Sequence, residues 1–117
     1  MASNIDLVIV CKDPEALADF WATALGYHKV GFIEPYFLLR SQDPSHPPLI
    51  LQRVPEPKRV KNRMQLDIRT DDVDGVAVRL EGIGATRLAD RSEHGARWIT
   101  MSDPEGNEFC VCPGVQI

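Results

Sequence analysis

Four side chains could direct polar chemistry at a small molecule: Asp6, Gln52, Gln65 and Cys110. Asp6 interrupts an apolar run, Ile5-Asp6-Leu7-Val8-Ile9-Val10. A carboxylate there could ligate a metal, serve as a catalytic acid or base, or anchor a polar substrate; pairing with Arg63 or Arg69 is the structural alternative. Gln52 and Gln65 can each donate and accept hydrogen bonds, which suits polar fixtures in an apolar pocket or a mutual pair. Cys110 could act as a thiolate nucleophile or a ligand, although a buried free cysteine more often packs as a small apolar residue. Cys112 shares its strand face. Trp98 could stack on a planar ligand or fill core. Along Tyr36-Phe37-Leu38-Leu39 two pairs share opposite faces. Phe37 and Leu39 are assigned to the ligand side, with Trp98. Asp67 is read as the partner of Arg63 in an internal ion pair.

These groups need strands to present them. Ile5 to Val10 is β-branched and apolar, a strand. Asp13-Pro14-Glu15 follows as a helix start: a capping carboxylate, a proline suited to the first turn and an acid at the positive dipole end. Leu17, Phe20, Trp21, Ala24 and Leu25 recur at helical spacing, and Gly26 ends the stripe. Strands are expected at Tyr36 to Leu39 and Leu49 to Val54, with a weaker one at Tyr27 to Phe32. Pro55 to Lys61 reads as a linker; its basic residues, with Arg63, read as a solvated run.

The pattern then restarts. Met64 to Thr70 alternates apolar and polar residues, as a strand with two different faces does. Asp71-Asp72 can cap a second helix, striped by Val73, Val76, Ala77 and Leu80 and closed by Gly82 and Gly84. Arg97 to Met101 and Glu108 to Cys112 read as strands, joined by the turn Asp103-Pro104-Glu105-Gly106-Asn107, where proline presets φ and glycine accepts a positive one.

Asp13 and Asp72, Leu25-Gly26 and Ile83-Gly84, and Asp43-Pro44 and Asp103-Pro104 stand 59, 58 and 60 residues apart. Such small drift marks a duplication. Each half reads β-α-β-β-β, giving modules at 1–57 and 58–117. The expected fold is α+β, with two βαβββ modules whose curved mixed sheets enclose a shared cleft. By strand parity, Ile5, Leu7, Ile9, Leu66, Ile68, Leu51 and Phe109 pack on helices. Asp6, Val8, Val10, Gln65, Asp67, Arg69, Gln52 and Cys110 face the cleft.

Composition bounds the function. The 117 residues are 44% hydrophobic and 26% charged, with a formal net charge of −4, the balance of an ordinary globular domain. The mass is 13.1 kDa and the sequence pI about 5.3, which argues against a general nucleic-acid binder. No apolar run approaches the ~20 residues of a membrane span, and no basic-then-apolar leader opens the chain. Three cysteines without CxxC spacing argue against a disulfide scaffold or zinc knuckle and point to the cytoplasm.

The repeat, the first helix, Asp103-Pro104-Glu105-Gly106-Asn107-Glu108-Phe109 and Lys61-Asn62-Arg63-Met64-Gln65-Leu66-Asp67 together resemble the vicinal oxygen chelate superfamily. More narrowly, the chain is similar to the small glyoxalase-like domains grouped with glyoxalase, bleomycin-resistance proteins and dioxygenases. The resemblance implies a small-molecule binding protein or enzyme, and a homodimer. Metal-dependent members hold one divalent ion with four inward side chains, and the matching slots are Asp6, Gln52, Gln65 and Cys110. None is His or Glu, and His28, His46 and His94 lie elsewhere. A degenerate site without a divalent metal or other cofactor is therefore expected. Asp6 is then the candidate catalytic acid or base, Gln52, Gln65 and Cys110 contact the substrate, and Trp98 stacks on it. The alternatives are a metal-dependent lyase or dioxygenase, a protein that sequesters a drug or metabolite without turnover, and a degenerate half-barrel kept for assembly.

Overall fold

The computed structural model describes residues 6–60, 62, 65–93 and 96–114. The chain forms two compact units, Met1–Lys58 and Arg59–Ile117. Readings that rest on Ile5, Lys61, Arg63, Met64 or His94 fall outside the described residues.

In the first unit β1 (Leu7–Cys11) leads into α1 (Pro14–Leu25), followed by β2 (His28–Ile33), β3 (Tyr36–Arg40) and β4 (Leu49–Arg53). The sheet order is β1-β4-β3-β2, with β1 parallel to β4 and the other pairs antiparallel. The helix begins where the Asp13 carboxylate accepts the Ala16 N–H at 3.2 Å. It ends at Gly26, whose φ of 70° lies in the left-handed region that a residue with a Cβ avoids. Leu17, Phe20 and Trp21 turn the buried stripe onto β3 and β4.

The second unit repeats this plan with β5 (Leu66–Thr70), α2 (Val73–Gly82), β6 (Thr86–Glu93), β7 (Ala96–Ser102) and β8 (Glu108–Pro113), ordered β5-β8-β7-β6. Asp72 caps α2 by accepting the Gly75 N–H at 3.0 Å. Ala77 and Leu80 are buried on the sheet side. The turn into β8 is built around Asp103, which is only 3% exposed. Its carboxylate accepts the backbone N–H groups of Glu105 and Asn107, each at 2.9 Å, and the Asn107 side-chain amide at 2.8 Å.

Register fixes which side chains share a face. In the first sheet Leu7, Leu49 and Leu39 lie in one row, and Ile9, Leu51 and Phe37 in the next. Leu39, Leu49 and Leu51 are fully buried, so this is the face under α1. In the second sheet Leu66, Phe109 and Met101 align, then Ile68, Val111 and Ile99. Phe109, Met101, Val111 and Ile99 are fully buried under α2.

This register corrects one expectation. Leu39 and Phe37 belong to the helix-covered face, not to the ligand side. Leu39 is 0% exposed, and the Phe37 ring lies 5.8 Å from that of Phe32. The pair on the open face is Tyr36 and Leu38, which align with Gln52 and Ile50.

Candidate functional site

The open face of the first sheet carries Val8, Val10, Leu38, Ile50, Tyr36 and Gln52. Val8 and Val10 are 52% and 54% exposed, an apolar surface that α1 leaves uncovered. Gln52 sits on this face, as parity predicts, opposite Val10. Asp6 lies just before β1 and is exposed. Gln52 therefore lies four residues along the strand from Asp6, about 13 Å at the rise of an extended chain. Asp6 instead borders a concavity of about 700 Å³, with Arg40, Gln42 and His46.

The second sheet assembles a denser group. Its open face carries Asp67, Arg69, Trp98, Thr100, Cys110 and Cys112. Gln65, just before β5, reaches over this face, and its Nε2 donates to Cys110 Sγ at 2.8 Å. Thr100 Oγ1 lies 3.6 Å from the same sulfur. Arg69 lies 3.6 Å from the Asp67 carboxylate and donates to the Pro113 carbonyl at 3.2 Å. Gln65, Asp67, Arg69, Trp98, Cys110 and Cys112 line a cavity of about 350 Å³. The parity of Trp98 is ambiguous from sequence; alternation along β7, where Thr100 aligns with Cys110 and Ile99 is buried on the other face, settles it onto this open face.

The electrostatics follow from burial. Desolvation pushes the Cys112 thiol above the ordinary cysteine value; the Asp67 carboxylate and Cys110 add to the shift and the Arg69 guanidinium opposes it. Cys112 is thus a neutral thiol at pH 7.

The repeat itself refines the alignment of the slots. β1 and β5 align with an offset of 59 residues, and β4 and β8 with one of 60. The counterpart of Cys110 is therefore Ile50, and that of Cys112 is Gln52. Matching Gln52 to Cys110 preserves the face but slips by two residues along the strand. Asp6 and Gln52 do not converge in the way Gln65 and Cys110 do.

The donors do not fit one divalent ion. In the second unit an amide and a thiol are hydrogen-bonded to each other, and in the first a carboxylate and an amide stand apart. Among the described residues no group of three or more His, Cys, Asp or Glu comes together. His28 opens β2 opposite Arg40, and His46 lies 3.8 Å from Asp43 in a loop.

On the helix side of the second sheet, Arg97 ties α2 to β6. Its guanidinium donates to both Asp74 oxygens, at 2.9 and 2.7 Å, and to both Asp90 oxygens, at 3.0 and 2.8 Å. These bonds hold both carboxyls below the usual carboxylate range. A lowered folded-state pKa contributes stability above the unfolded value near pH 4, lost as pH falls through the folded value. Arg97→Gln should therefore lower the urea midpoint most above about pH 4, with the gap to wild type closing in stronger acid. A gap that stays constant on acidification would contradict this assignment.

A family model described as a glyoxalase-like domain matches residues 6–112. The chain belongs to that family. No protein among the curated sequences matches it. The domain is similar in fold to a glyoxalase/bleomycin resistance protein/dioxygenase family enzyme from Burkholderia phytofirmans PsJN, with 17% identity, a TM-score of 0.77 and coverage of 95% of this chain and 100% of that one. It is similar to the fosfomycin resistance protein FosX from Mesorhizobium loti, with 14% identity, a TM-score of 0.76 and coverage of 98% and 94%. A bleomycin-binding protein solved with bleomycin shares 16% identity and a TM-score of 0.70, with coverage of 97% and 100%. At these identities the likeness carries the glyoxalase-like fold and no reaction.

Proposed function

We propose that this glyoxalase-like domain binds a small organic molecule on the open face of its second sheet and sequesters it without metal-dependent chemistry. The observation that carries this reading is the cavity of about 350 Å³ on that face. One tryptophan ring, one amide, an ion pair and two thiols line it, with Arg97 and Pro113 at its edge, a mixture of apolar platform and polar contacts that ligand pockets use. Trp98 is the stacking surface, Gln65 and Asp67 orient polar groups, and Cys110 contributes wall. The similar bleomycin-binding protein is a precedent for a fold of this kind holding bleomycin. Metal-dependent lyase or dioxygenase chemistry is disfavoured because Asp6, Gln65 and Cys110, with Ile50 as the counterpart of Cys110, are a poor donor set. Asp6, exposed and four strand positions from Gln52, is assigned no proton transfer.

The same proposal includes a homodimer in a reducing cytoplasm. Three cysteines without a disulfide and the uncovered Val8 and Val10 support it.

A thermal-shift series of planar aromatic compounds and thiol adducts tests the reading. A ligand at 100-fold its Kd should stabilise the protein by about 2.7 kcal/mol. Trp98→Leu should remove that shift while leaving the unliganded melting point nearly unchanged. Stabilisation that survives Trp98→Leu would place the ligand elsewhere.

A further inference from the structure

We infer that Cys110 and Cys112 form a two-coordinate site for a soft monovalent cation of the Cu(I) class. The two cysteines occupy alternate positions of β8, so their side chains project from one face. Both line the cavity of the second unit. Their backbone positions are roughly 7 Å apart. A linear sulfur–metal–sulfur bridge, with bonds near the ~2.3 Å of zinc thiolates, spans about 4.6 Å. Rotation about the two Cα–Cβ bonds lets the sulfurs lean together over that difference.

Three further observations favour this ion class. Cys112 is 7% exposed and its thiol makes no side-chain hydrogen bond among the described residues, so a nine-tenths buried thiol faces the cavity. No third His, Cys, Asp or Glu joins the pair among the described residues, which removes the four-ligand shell that zinc prefers. Thiolates select Cu(I) by softness, and two of them suffice for a linear site. The surroundings also bear on the charge. The Gln65 amide already donates to Cys110 Sγ, while Asp67 and Arg69, 3.6 Å apart in the same cavity, balance one another.

Binding balances without a redox partner. Each S–H bond breaks, its proton passes to solvent, and a sulfur–metal bond forms in its place. The cation stays monovalent, and two protons leave per ion. Because two protons leave for each ion bound, affinity should increase with pH. This inference shares a cavity with the proposed organic-ligand site but does not rest on it.

The test is an anaerobic titration of the full chain with Cu(I), in competition with a chromogenic Cu(I) chelator. One equivalent should bind. Losing a residue that only supports a ligand costs about 10- to 100-fold in metal affinity, so Cys110→Ser or Cys112→Ser should each cost at least about 100-fold. Cys11→Ser, in the first unit, should bind as wild type does. A readout on the unaltered chain guards against variants that fail to fold. One equivalent of Cu(I) should slow alkylation of Cys110 and Cys112, and not of Cys11, in the folded chain, read by peptide mass. No binding in competition, wild-type affinity in either single variant, or protection confined to Cys11 would overturn the inference. Trp98→Leu should keep Cu(I) binding and lose the organic-ligand response, so failure of one reading is distinguishable from failure of the other.

Discussion

Leu39→Ala should destabilise the protein by about 2–5 kcal/mol, the range for deleting a leucine from a filled core. Leu39 is fully buried, as is its β4 partner Leu49, and α1 covers this face. The side chain removed leaves a cavity that a helix anchored at Asp13 and Gly26 cannot collapse to fill. Tyr36→Ala, on the opposite face and 49% exposed, should cost within about 1 kcal/mol. Urea unfolding of the two variants measures both. The reverse ranking would mean that the face assignment of β3 is inverted, and with it the side on which Gln52 is presented.

Asp103→Ala should cost about 3 kcal/mol, from a side chain buried in a turn. The carboxylate satisfies two N–H groups of Asn107, one backbone and one side-chain, and both residues are buried. Truncation strands those donors away from water, at about 1–3 kcal/mol each. Asp103→Asn keeps an acceptor oxygen and should cost less than Asp103→Ala. Chemical denaturation at pH 7 separates the three proteins. Equal stability of Asp103→Ala and wild type would remove the carboxylate from any structural role in the turn.

These two residues also mark how far the sequence is legible. Asp103 could be read as turn chemistry because proline and glycine follow it at defined positions. Asp13 and Asp72 could be read as caps because each precedes an apolar stripe. Strands β1 and β5 place Val8, Val10, Asp67 and Arg69 on the sheet face away from the helix, the face that parity separates from Leu7, Ile9, Leu66 and Ile68. The Tyr36 to Leu39 run defeats parity because all four residues are apolar, so no alternation marks a face. Only pairing with β4 and burial under α1 decide it. Strand β6 has no apolar rhythm, since Thr86 to Glu93 is mostly polar; the β-α-β-β-β repeat calls for it, and its pairing with β7 gives its bounds. The slip that matched Gln52 to Cys110 has the same origin. Parallel register between distant strands is a tertiary property, and a shift of two residues leaves every side chain on its expected face.

The Gln65–Cys110 contact was legible only as two residues sharing a face. What the fold adds is Thr100 beside the same sulfur and Trp98 and Cys112 along the same wall. That addition moves the weight of the site from Asp6 to the second unit.

The most direct measurement is the emission of Trp98. The chain has two tryptophans, and Trp21 is buried against the Phe20 edge at 5.2 Å, far from solvent. In a Trp21→Phe protein that still folds, Trp98 is the sole indole. A ligand that raises the melting point should quench or shift its emission saturably, with a midpoint equal to the Kd from the thermal series. A stabilising ligand that leaves this emission unchanged would show that the open face of the second sheet is not where the molecule binds.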